Sequence, residues 1–86
     1  MESRVEMYLE DFEGLLDLHT EYSDSIDPGN IDARVVWDEI EHSLKLLSKR
    51  TERLRRQTIV SEDDMDELES MLEDLNEQYG ELAALL

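Results

Sequence analysis

Apolar and small side chains recur through the middle third of the chain at Ala33, Trp37, Ile40, Leu44, Leu47, Thr51, Leu54 and Thr58, with gaps alternating 4 and 3. That alternation keeps one face of a helix turned toward its partners. The same rhythm appears twice more. Val5, Tyr8, Phe12, Leu15, His19, Tyr22 and Ile26 carry it near the N-terminus, with Leu9 and Leu16 widening the stripe as a helix touching two neighbours requires. Met65, Leu68, Leu72, Leu75, Tyr79, Leu82 and Leu86 carry it near the C-terminus.

Punctuation separates the three runs. Pro28 disfavours helical geometry at Asp27, so the first helix stops before it. Asp27 is a good N-cap with Pro28 as first helical residue and Ile26 stapled onto Ile31, and a cap at Asn30 is the close alternative. Farther on, Ser61 reads as an N-cap, with Asp64 a weaker stand-in for the usual capping-box Glu and Val60 stapled onto Met65. The pattern predicts one domain, 1–86, with helices over about 2–23, 28–57 and 62–86. Gly14 and Gly80 are the weak points inside them.

Short connections make neighbouring helices antiparallel. Folding the third helix back on the second pairs Leu54 with Met65, Leu47 with Leu72, Ile40 with Tyr79 and Ala33 with Leu86. The first helix set on the second pairs Tyr22 with Ala33, His19 with Trp37, Phe12 with Leu44 and Val5 with Thr51. Large residues thereby meet small ones, as evenly filled layers need. The fold class is all-α: a three-helix antiparallel, up-down-up bundle with coiled-coil-like heptad seams. Its rival keeps the helices and changes the assembly, the second and third forming a hairpin that dimerises into a four-helix bundle. Met7, Leu18, Val35, Leu46, Met71 and Leu85 lie off the seams and are the apolar positions for such self-association or for a docked partner helix.

Charge changes the picture more than length does. Twenty-four acids face eight bases, a net charge of −16 at pH 7, and only two of the bases are lysines. Such a surface repels phosphates and anionic lipid, which argues against direct nucleic-acid or membrane binding. It fits a protein adapted to high salt, or an acidic face that docks on a basic partner. The third helix carries ten acids and no base from residue 61 to the end. Glu62, Asp66, Glu69, Glu73, Asp74, Glu77 and Glu81 form its outer face, a negative rod roughly 30 Å long that could imitate a phosphate backbone. Positive charge is concentrated in Lys45, Lys49, Arg50, Arg53 and Arg56 at the end of the second helix, where the macrodipole favours it. Antiparallel packing sets this cluster beside Glu2 and Glu6 of the first helix and Glu62, Asp63, Asp64, Asp66 and Glu69 of the third, an arrangement that guides helix order.

Candidate chemistry is sparse. Glu39 and His42 have the Glu-x-x-His spacing of di-iron bundles, but the second copy of that motif is missing, since Leu16 precedes His19 at the matching position. The acidic stretch 24–32 fails as a calcium loop because Ile26, Pro28 and Val35 would occupy ligand positions. No phosphate loop or catalytic triad stands out, and no cofactor or metal is expected. His19, on the seam opposite Trp37, reads as a packed ring with one nitrogen hydrogen-bonded, or as a pH-sensitive layer. The absence of cysteine fits a reducing compartment, and the first twenty residues hold acids rather than a signal peptide, so a cytoplasmic location is expected. The sequence points to a non-enzymatic, acidic helical protein–protein interaction module that pairs with itself as a homodimer. The alternative is a DNA mimic or inhibitor that binds a basic, nucleic-acid-binding protein through the third helix.

Overall fold

The computed structural model describes residues 3–86. Among them are three α-helices and no strand: α1 (Ser3–Ser23), α2 (Ile31–Arg56) and α3 (Glu62–Leu85). They pack as an elongated bundle of 46 × 19 × 17 Å. Glu2, which the sequence places in the first helix, lies outside the described residues.

Each boundary has a local cause. α1 ends where hydroxyl groups compete for backbone carbonyls: Thr20 Oγ1 donates to Leu16 O and Ser23 Oγ to Thr20 O. The chain then turns through Asp27, whose carboxylate accepts from Gly29 N at 2.9 Å, and α2 opens at Ile31 rather than near 28. Asn30 is the cap, its Oδ1 accepting from Ala33 N at 3.2 Å. Asn30 succeeds because its amide does a second job, Nδ2 donating to Leu85 O at the far end of α3 at 2.8 Å. With the start moved, Ile31 is 73% exposed and forms no staple, while Ile26 packs against the core. At the next junction Ser61 caps α3 by the reciprocal pair that the sequence predicts: Asp64 N donates to Ser61 Oγ at 3.2 Å, and Ser61 N to Asp64 Oδ2 at 3.4 Å.

The core is one contiguous cluster. α3 supplies Met65, Leu68, Leu72, Leu75, Tyr79 and Leu82; α2 supplies Ala33, Ile40, Leu47 and Leu54; α1 supplies Val5, Tyr8, Leu9 and Phe12. Each large side chain so buried contributes about 1.5–3 kcal/mol. Thr51 is buried among them at no hydrogen-bonding cost, since its Oγ1 donates to Ser48 O at 2.9 Å. Two expected seam positions fall away at helix ends. Thr58 is exposed because α2 stops at Arg56, and Leu86 is the exposed cap residue of α3.

α1 departs from its expected seating. Its backbone approaches α3 more closely than α2, although the sequence set its stripe against α2. Bulk explains the shift: His19 and Trp37 stack face to face between α1 and α2 with ring centroids 4.0 Å apart, and the space alongside them is left as a groove. Tyr8 of the same stripe sends its hydroxyl to Glu69 of α3, at 2.8 Å.

Both interior helix glycines face open space: a Cβ added at Gly14 or Gly80 would meet no neighbouring atom within 4 Å. Gly14→Ala and Gly80→Ala should therefore each stabilise the protein by about 0.5–1 kcal/mol in denaturant unfolding. A loss of stability in either variant would show that helix packing needs the glycine.

Candidate functional site

The acidic row of α3 divides into two halves. Glu62, Asp66, Glu73, Asp74, Glu77 and Glu81 are exposed and Glu69 is half-buried. In the N-terminal half, Arg4 of α1 reaches across to Asp66 at 2.9 Å and Glu69 at 3.1 Å. Arg4 Nε also donates to the Tyr8 hydroxyl, which in turn donates to Glu69. The guanidinium lies 5.5 Å from the Tyr8 ring centroid. Tyr8, Asp66 and Glu69 together hold the Arg4 pKa above its already high ordinary value. Farther along, Glu73, Asp74, Glu77 and Glu81 form no ion pair among the described residues.

The basic cluster also divides. Lys45, Lys49, Arg53 and Arg56 are exposed without ion pairs among the described residues, whereas Arg50 is half-buried and bonded to Glu67. Arg55 reaches Glu13 at 3.4 Å. The acids expected to face this cluster are thus engaged differently, because Arg4 takes Asp66 and Glu69. Sequence reasoning gave Arg4 no role in the site. Its spacing of four from Tyr8 was the available signal.

Of the off-seam apolar residues, Met7, Val35, Leu46 and Leu85 are exposed, while Leu18 and Met71 are half-buried and pack on the core. Two grooves flank α2. The one toward α1, about 460 Å³, has Leu16, His19 and Leu44 as its apolar wall and Lys45, Lys49 and Glu41 as its charged rim. The one toward α3, about 420 Å³, is lined by Asp38, Glu39, His42, Ser43 and Gln78. The Oε1 atom of Gln78 is buried with no hydrogen-bond partner. Glu39 and His42 thus share a groove, but among the described residues no three His, Asp or Glu side chains converge to hold a metal ion. No described helix is long and apolar enough to cross a membrane.

His19 joins all three helices. Its ring stacks on Trp37 of α2, and its Nδ1 lies 2.9 Å from the Tyr79 hydroxyl of α3. Tyr22 stacks on Tyr79 at 5.9 Å to extend the aromatic layer. Burial pushes the Tyr79 phenol up to about 12, so it keeps its proton and donates to a neutral imidazole. Burial likewise lowers the His19 pKa, against the opposing pull of the Glu41 carboxylate. The chain matches no protein-family model, no curated protein and no solved structure, so its functional reading rests on these surfaces.

Because folding favours neutral His19, its contribution to stability is complete above the unfolded value of about 6.5 and is lost as pH falls through the lower folded value. His19→Phe keeps the stack but cannot titrate. The melting temperature of the wild type should therefore fall relative to His19→Phe between about pH 7.5 and pH 5. A gap independent of pH would contradict this assignment.

Proposed function

We propose that the chain is a non-enzymatic interaction module of the cytoplasm: an up-down-up bundle with heptad seams that works by pairing with itself, on a surface suited to high salt. Contacts between helices support the topology. Arg4 reaches residues near the start of α3, Asn30 at the start of α2 meets Leu85 at the end of α3, and Arg50 meets Glu67. The observation that carries self-association is an apolar remainder outside a completed core. Val35, Leu46 and Leu85 stay exposed on α2 and α3 although every inward stripe already has partners.

The second reading, acidic docking of α3 on a basic protein, is supported by Glu73, Asp74, Glu77 and Glu81, which are exposed and lack ion pairs among the described residues. Salt separates the two. Apolar association between like-charged copies strengthens as repulsion is screened, whereas docking of opposite charges weakens.

Light scattering on a sizing column should return a helical dimer in molar KCl, with a smaller dimer fraction in low salt. A helical monomer at both salt levels, retained by an immobilised basic protein only in low salt, would transfer the function to the acidic face of α3.

A further inference from the structure

The self-association reading can be carried to a defined face and a defined geometry. The Arg50–Glu67 pair sets the level of α2 against α3 and places Leu46 beside Met71 near the middle of both helices. Heptad spacing then fixes what shares this face. On α3, Gln78 lines the α2–α3 groove, and Met71 and Leu85 lie seven residues to either side of it. Glu67 faces α2, and Asp74 and Glu81 repeat its position at seven-residue steps. On α2, His42 borders both this groove and the one toward α1, so Val35 and Lys49, seven residues to either side of it, lie on the outer crest of α2 between the two grooves, while Arg53 lies seven beyond Leu46.

This long face therefore carries an apolar centre at Leu46 and Met71, with Arg53 and, at its edge, Lys49 toward one end and Asp74 and Glu81 toward the other, none of these four in an ion pair among the described residues. We propose that this α2–α3 face binds a second copy of the chain, antiparallel, across a two-fold axis passing by Leu46 and Met71.

An isologous contact requires complementary groups at equal distances on opposite sides of the axis, and the spacings meet that requirement. Lys49 is three residues from Leu46, and Asp74 is three residues from Met71 in the opposite direction along the bundle, each about 4.5 Å from the axis by helical rise. Lys49 of each copy thus stands level with Asp74 of the other. Arg53 and Gln78 are each seven residues out, so Arg53 of the second copy arrives level with Gln78, within the span of Glu77 and Glu81. At the extremities, Ile59 in the α2–α3 turn, 83% exposed, comes level with Val35 and Leu85 of the other copy. The net charge of −16 per copy explains why such a dimer would need salt.

This proposal rests on the self-association reading, and the test separates the two. The chain has no cysteine, so Leu46→Cys introduces a single thiol on the axis, while Met7→Cys places one on α1 at similar exposure, 51% against 48%. Under mild oxidation in molar KCl, Leu46→Cys should cross-link to a covalent dimer and Met7→Cys should not. Lys49→Glu with Arg53→Glu, and separately Asp74→Lys with Glu81→Lys, should each raise the dimer dissociation constant roughly 30-fold or more. Mixing the two double variants should restore pairing as a heterodimer. A wild-type dimer whose Leu46→Cys form does not cross-link, and whose charge variants still pair, would overturn this face but leave self-association standing. A wild type that stays monomeric in low salt and in molar KCl would overturn both.

Discussion

Burial of the α3 stripe from Met65 to Leu82 is the constraint on which the other helices depend. That stripe contributes more buried residues than α1 or α2, and both of those helices pack against it. α2 lies along it closely from the Asn30–Leu85 end to the Arg50–Glu67 end. α1 is drawn to the same helix by Arg4 and Tyr8 at one end and by His19 and Tyr22 at the other. The spine of the molecule is thus its most acidic helix, and the bundle must hold together against repulsion among those acids.

The few cations are placed where they choose between helix arrangements. Arg4 neutralises the start of the acidic row, and Arg50 fixes the level of α2 on α3. These pairs are partly or largely exposed, and exposed pairs add little stability. Their effect is to favour one seating over others that would bury similar apolar area. What they leave behind is an offset charge pattern, with Lys49, Arg53 and Arg56 toward one end and Asp74, Glu77 and Glu81 toward the other. A surface so divided can satisfy itself in a second copy more readily than within one chain.

Most of the architecture was legible in the sequence because helical periodicity reports burial directly. The seam residues of α3 from Met65 to Leu82 are all buried, and the Ser61–Asp64 capping box forms as the side chains predict. The start of α2 was legible only as two alternatives. Pro28 is compatible with a first helical turn, and nothing local reveals that the Asn30 amide has a distant acceptor in Leu85 O. The seating of α1 was hidden for a related reason. A stripe wide enough to touch two neighbours does not say which it approaches more closely; that depends on the bulk of the His19–Trp37 stack and on the reach of Arg4. The His19 site was half legible: its place opposite Trp37 follows from the seam, but its Tyr79 partner belongs to a helix pairing that α1–α2 reasoning does not address.

Native-state hydrogen exchange resolved by residue tests the central role of α3 most directly. With α3 as the shared spine, its amides between Leu68 and Leu82 should exchange only through global unfolding, together with the facing turns of α2, while the C-terminal half of α1 opens at lower free energy. Protection of α1 equal to or greater than that of α3 would contradict the account.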